Sequence, residues 1–200
     1  MQRTGWVCVW LLACGADPND ESLQYPLADL HGLYENARWV WRTGAVGAVD
    51  SGRGEAVDED SLVWAMHQGS GEIGIRRGPT WQTGTDWGTL RFDVTGGDLL
   101  LTAWDLPGRE AGRITGEGNL RMADANAADG DRHATGSYRC ETLINAGAET
   151  FFGAFASTAT LDCRGNADQP TGRWTFARDV GLVQLRSTTL QSLDLVAPGW

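Results

Sequence analysis

The chain has no lysine; all 16 of its basic residues are arginine. That pattern fits GC-rich coding bias and carries no functional weight. The arginines are also scattered. Arg76-Arg77 is the only adjacent basic pair, and the net charge is −10. A general nucleic-acid binder needs a basic face that displaces counterions, so that class is excluded as a partner. Docking to anionic lipid headgroups through charge is excluded for the same reason. Long hydrophobic runs are missing too. The apolar stretch from Gly5 to Ala13 spans nine residues, where a membrane helix needs ~20. Histidine is scarce: His31, His67 and His133 stand far apart with no H-x-x-x-H pair, so zinc chemistry of that kind has no ligand set.

What the N-terminus does have is an address. Arg3 and the α-amino group form a minimal positive region, Gly5 to Leu12 a short apolar one, and a small residue follows, the layout of an export signal. Leu11-Leu12-Ala13-Cys14 then resembles the lipobox of bacterial lipoproteins. The resemblance implies a diacylglyceryl group on the Cys14 thiol, cleavage after Ala13, and Cys14 as the lipidated N-terminus. Two or more acyl chains hold a protein stably on a membrane, whereas one does so only marginally. "GADPNDES" (Gly15 to Ser22) reads as a solvated tether. Gly15, in place of Asp, implies the outer membrane over inner-membrane retention. The expected organisation is a signal peptide over 1–13, a lipidated cysteine and tether over 14–22, and a single β-rich domain over 23–200. Two hundred residues suit one domain.

Beyond the tether the pattern is that of strands. Leu27, Leu30, Leu33 and Tyr34 allow at most a short helix, which Gly32 interrupts. "ARWVWRTG" (Ala37 to Gly44) alternates, as do "SLVWAMHQ" (Ser61 to Gln68) and "EIGIRRG", joined by a "GSG" turn. "DSGRGEAVDED" (Asp50 to Asp60) and "GPTWQTGTDWG" (Gly78 to Gly88) read as loops. The clearest hairpin runs through Leu90, Phe92 and Val94, turns at Gly96-Gly97-Asp98 and returns from Leu99 to Trp104. Further strands are expected at Gly112–Thr115, Asn119–Met122, Gly136–Ile144, Phe155–Cys163, Gly172–Arg178, Gly181–Arg186 and Leu190–Val196. Between two of them, Ala123 to Gly136 reads as a polar loop. About ten to twelve short strands between glycine turns make an all-β antiparallel domain.

Cysteine is sparse, and its use follows from the address. Cys8 leaves with the signal and Cys14 takes the lipid, so Cys140 and Cys163 remain as an even pair in an oxidising compartment. A hairpin turning at Asn145-Ala146-Gly147 would leave Cys163 ~30 Å from its partner at strand rise. A turn near Phe152-Gly153 would set the two opposite each other. The second arrangement is the expected one, and its disulfide closes a loop of roughly two dozen residues, worth ~3 kcal/mol. Two buried free thiols are the alternative.

Three stretches resemble a group of uncharacterised exported bacterial lipoproteins related to TapB-like domains of unknown function. Tyr25-Pro26-Leu27, Gly32 and Trp39-Val40-Trp41 loosely match an opening of the form Y-x-P-L…G…W-x-Y, with a longer spacer and Trp for Tyr. "RWTFARDVGLVQL" (Arg173 to Leu185) matches a closing strand-turn-strand, with Asp179 where glycine is usual. "FFGAF" (Phe151 to Phe155) stands as the equivalent of an Ala-Gly-x-Phe turn and agrees with the turn that lets the cysteines pair. The resemblance implies a strongly curved antiparallel sheet, a half-barrel similar to the lipoprotein carriers LolA and LolB. It brings no catalytic residues with it.

Chemistry is thin. Ser70 in Gly69-Ser70-Gly71 lacks the G-x-S-x-G elbow and falls in a turn. Asp124, Asn126, Asp129 and Asp131 miss calcium-loop spacing, because Asp129 stands where glycine is required. Glu55, Asp58, Glu59 and Asp60 form one run, which is commonly a solvated face. No catalytic residue, metal ligand or cofactor is assigned. The ten tryptophans stand out. Trp39, Trp41, Trp64, Trp104 and Trp174 fall in strands and suit a core. Trp81 and Trp87 fall in the Gly/Thr loop, where they are the candidate ligand contacts. The expected function is that of a lipid-anchored, non-enzymatic binding or structural module of the cell envelope, facing the periplasm or the cell surface. Its partners would be an apolar ligand in the concave sheet face or another envelope protein. The alternative is a carbohydrate-binding or carbohydrate-active protein that uses the loop tryptophans.

Overall fold

The computed structural model describes residues 38–44, 62–68, 71–110, 112–124, 126–177 and 180–199. Cys14 with the signal and tether, the stretch around 27–34, the acidic loop over 50–60, His31, Ser70 and Asp179 lie outside these residues. Fourteen strands and no helix are found among the described residues: β1 (Arg38–Gly44), β2 (Leu62–His67), β3 (Glu72–Arg77), β4 (Thr85–Thr95), β5 (Asp98–Pro107), β6 (Arg113–Asp124), β7 (Arg132–Thr135), β8 (Tyr138–Ile144), β9 (Ala148–Glu149), β10 (Ala154–Phe155), β11 (Thr158–Arg164), β12 (Gly172–Ala177), β13 (Gly181–Arg186) and β14 (Ser192–Gly199).

Twelve of them form one antiparallel sheet in the order β6-β5-β4-β3-β2-β1-β14-β13-β12-β11-β8-β7, while β9 and β10 pair separately. The all-β, strongly curved antiparallel sheet expected from the sequence is what the chain forms. Strand β1 lies between β2 and β14, so the two ends of the sheet order, β6 and β7, are left to meet across a seam. They meet through side chains. The Arg121 amide donates to Thr135 Oγ1 at 3.0 Å, and the Asp124 amide donates to His133 Nε2 at 3.3 Å. Unpaired strand edges invite aggregation, and this contact covers the C-terminal part of β6.

A round barrel of twelve strands would be too wide for side chains to fill. This one is flattened. Phe92 on β4 meets Trp174 and Phe176 on β12 edge-on, with ring centroids 6.3 and 6.2 Å apart. Trp41, Tyr138, Leu90, Leu101 and Met122 are also fully buried between the walls. Three buried rings find partners for their polar tips, whereas Trp174 Nε1 has none among the described residues. Trp39 and Trp41 donate their indole N–H to the carbonyls of Val180 and Leu182, and Tyr138 donates its hydroxyl to Pro170. Burial pushes the Tyr138 phenol well above its ordinary pKa. The concave face of the sheet therefore carries the protein's own core.

The hairpin expected around the cysteines forms. Cys140 and Cys163 are direct register partners in the β8–β11 ladder, with Cα atoms 4.1 Å apart, and they are joined by a disulfide. The same register continues through β9 and β10 to a tight turn where Thr150 and Gly153 exchange backbone hydrogen bonds. The turn thus lies at Phe151-Phe152, within "FFGAF".

Most boundaries shift by a few residues, and three differences from the sequence reading are larger. Gly112–Thr115 and Asn119–Met122 are one strand, β6, because β5 offers a continuous partner that carries the ladder past Gly116 and Gly118. Strand β7 sits inside the expected polar loop over 123–136; Arg132 to Thr135 pair with Tyr138 to Glu141 across a two-residue turn. The loop over 78–88 ends early. Thr85 and Asp86 already pair with Arg77 and Arg76, and a bulge between Ile75 and Arg76 absorbs the offset.

Candidate functional site

The early start of β4 separates the two loop tryptophans. Trp87 lies in β4, faces the core and is 6% exposed. As a ligand contact in a loop it is corrected: the strand pairing that begins at Thr85 turns its indole inward, and burial of that large apolar surface is worth more than leaving it wet. Trp81 stays in the loop and is half-buried on the outer face of the sheet.

Trp81 is held from two sides. Arg76 on β3 donates through Nη1 to the Trp81 carbonyl at 2.9 Å, and its guanidinium lies 5.6 Å from the centre of the indole ring. A cation over an indole face is attracted by the ring quadrupole. Beneath the loop, Thr80 and Thr83 join hydroxyls at 2.7 Å, and the Gly84 amide closes the turn onto the Thr80 carbonyl at 2.9 Å. A further indole on this face is fixed from β2, where Trp64 Nε1 donates to the Gly78 carbonyl.

The indole forms one wall of a groove of about 330 Å³ on the outside of β3, β4 and β5. Gln68, Gly74, Arg76, Gly88, Asp105 and Arg113 line it with Asp86 and Thr89. Gly74 makes its floor, opposite the exposed Thr89 on the outer side of the sheet. A Cβ on Gly74 would come within 2.3 Å of Gln68 Nε2 and 3.4 Å of Trp81 Cη2. A Cβ on Gly88 would come within 2.6 Å of the Asp105 carbonyl oxygen. A larger residue at Gly74 would fill the groove, whereas one at Gly88, which pairs with the core residue Ile75, would press on the β5 backbone and on the core Leu106 Cδ2 at 3.1 Å.

The charged groups at the rim are paired but wet. Arg76 Nε stands 3.4 Å from Asp86, whose side chain is 97% exposed. Arg113 Nε donates to Asp105 Oδ1 at 2.5 Å, and Arg113 Nη2 also donates to the carbonyls of Trp87 and Asp105. The groove therefore offers an apolar ring face, an amide that both donates and accepts, and carboxylates and guanidiniums open to solvent. That inventory suits a flat, hydroxyl-bearing ligand.

Arg76, Asp86, Asp105, Arg113 and Gln68 were not singled out by the sequence. They come from separate strands and turns, and only the register brings them together. A local signal exists in "EIGIRR", where Gly74 stands at an outward position that a strand ordinarily gives to a side chain.

The other residues weighed in the sequence stand apart. Asp124, Asp129 and Asp131 each hold backbone amides in the turns around β7: Asn126, Ile144 and Ala128 respectively. Among the described residues no three His, Cys, Asp or Glu side chains are placed to share a metal ion. His67 is buried at the end of β2, and His133 sits in the seam. No protein-family model, no curated protein and no solved structure gives this chain a significant match.

Proposed function

We propose that this chain is a lipid-anchored protein of the cell envelope, sorted to the outer membrane, and that it acts as a non-enzymatic binding module. Its ligand is a neutral, ring-bearing molecule such as a sugar, taken at the Trp81 groove. The observation that carries the reading is the half-buried Trp81 beside the open floor at Gly74, with wet hydrogen-bonding groups around it. Sugar rings present one apolar face and a rim of hydroxyls, which is the complement of that arrangement. The lipobox at Leu11 to Cys14 supports the anchor and the disulfide between Cys140 and Cys163 suits an oxidising compartment.

The reading that places an acyl chain in the concave face has less support. Phe92, Trp41 and Trp174 occupy that space, and an acyl chain there would have to displace them. The outer groove asks for no such displacement.

Two experiments test the proposal. Mass spectrometry of the mature N-terminus should find acyl chains on Cys14; an intact Met1, or cleavage elsewhere without lipid, overturns the anchor. Titration with neutral maltose-, cellulose- and chitin-type oligosaccharides should change tryptophan fluorescence. Trp81→Ala should weaken the response about tenfold or more, the scale of ~1.4 kcal/mol. No response to any of them, or an undiminished response in Trp81→Ala, overturns the groove.

A further inference from the structure

The outer face of the opposite wall has a different charge arrangement. Antiparallel register lines up Arg132, Glu141, Asp162, Arg173 and Arg186 in one row across β7, β8, β11, β12 and β13. In the adjoining row Arg139 stands directly opposite Arg164. Like charges opposite each other across strands are destabilising, and both Arg139–Arg164 and Arg173–Arg186 are such pairs.

The carboxylates present do not balance these arginines. Arg132 is taken up by Glu141 and Arg186 by the buried Asp194. Asp162 alone serves both Arg164, at 3.4 Å, and Arg173, at 3.5 Å. Arg139 is exposed and makes no hydrogen bond or ion pair among the described residues. A locally positive strip thus lies on a protein of net charge −10.

The strip is also concave. Two grooves of about 560 Å³ each flank Arg164. Arg132, Arg139 and Glu141 line one of them, while Arg173, Arg186 and the exposed Thr188 line the other. Guanidiniums in that density match oxyanions in two-pronged contacts. Glu141, Asp162 and the threonine offer partners for hydroxyls. Neither groove is lined by Phe, Tyr or Trp, and single-stranded nucleic acid is held chiefly by stacking on such rings.

We infer that the outer face of β7, β8, β11, β12 and β13 is a binding site for an anionic glycan, a sugar chain bearing sulfate, phosphate or carboxylate groups, separate from the Trp81 groove.

Heparin resin at low salt and neutral pH is the probe. The wild-type protein, despite its net negative charge, should be retained and released by added salt. Arg139→Ser/Arg164→Ser removes two exposed arginines that hold no core contact, and it should pass unretained. Arg38→Ser/Arg91→Ser makes the same change in net charge elsewhere and should behave as wild type, as should Trp81→Ala. Wild type in the flow-through overturns the site, and so does retention of the Arg139/Arg164 variant. Equal loss in the Arg38/Arg91 variant would make retention a matter of net charge, and loss in Trp81→Ala would move it to the other groove; either overturns the site. Release by a single-stranded oligonucleotide as effective as release by a heparin oligosaccharide of equal charge would overturn the glycan assignment.

Discussion

The two outer faces of one sheet handle charge in opposite ways. On the β3–β6 side four arginines each have their own carboxylate: Arg76 with Asp86, Arg91 with Glu72, Arg113 with Asp105, and Arg121 with both Asp98 and Asp124, while Arg77 at the end of β3 donates to Thr43 and Gln191. On the β7–β13 side two arginines share Asp162, and Arg139 makes no ion pair among the described residues. Exposed pairs contribute little to stability on either side, so the difference bears on what each face can bind. The matched side presents an indole and a glycine floor, and the unmatched side presents guanidiniums. The two sides differ in bracing as well. The β8–β11 ladder carries the disulfide, and the hairpin of β9 and β10 reaches β13 and β14. There Gln184 donates to the Glu149 carbonyl, the Phe152 amide to Leu195, and the Phe151 amide hydrogen-bonds Asp194.

The largest effect should come where the walls touch. Phe92→Ala removes the ring that meets both Trp174 and Phe176 and should cost ~3–5 kcal/mol in urea unfolding, by lost burial and a cavity. A cost under about 1 kcal/mol would mean that the walls do not depend on each other. Next, Cys140→Ala/Cys163→Ala should cost roughly 3 kcal/mol. Hydrogen exchange should speed up in β8 and β11 while β3 and β4 keep their protection. Equal loss in both walls would erase the contrast in bracing.

The smallest effect concerns Asp194, 3% exposed beneath the hairpin. Burial raises its pKa above the ordinary carboxylate value, and the adjacent Arg186 only partly offsets this. An acid whose folded-state pKa lies above its unfolded value favours the fold most when protonated. Its contribution is complete below the unfolded value and is lost as pH rises through the folded one. Asp194→Asn should therefore gain stability relative to wild type between about pH 4 and neutrality. A gap between the two proteins that stays constant or narrows would contradict the raised pKa.

Much of the fold was legible because period-two alternation marks half-buried strands. Gly181–Arg186 has the bounds the sequence led one to expect, and the cysteine spacing placed the turn within "FFGAF". Boundaries failed where a partner strand overrode local composition. Thr85 to Gly88 look like loop but pair with β3, and Gly116 and Gly118 look like a break but lie along β5. The sites were less legible, for a related reason. Trp81 stood out by residue type, yet its neighbours Arg76, Asp105 and Arg113 are scattered in sequence and gathered by register. The sequence likewise holds no basic run, and the row of arginines exists only because four strand pairings place it side by side.

If one sheet carries two separate ligand faces, two different ligands should leave two separate footprints on it. Amide chemical shifts of the isotope-labelled protein, recorded with a neutral oligosaccharide and then with a heparin oligosaccharide, test this most directly. The neutral chain should move resonances around Gly74, Trp81 and Gly88, and the anionic one those of Arg139, Arg164 and Arg173, with no overlap between the sets. Shifts from both ligands in the same residues, or shifts confined to neither face, would contradict it.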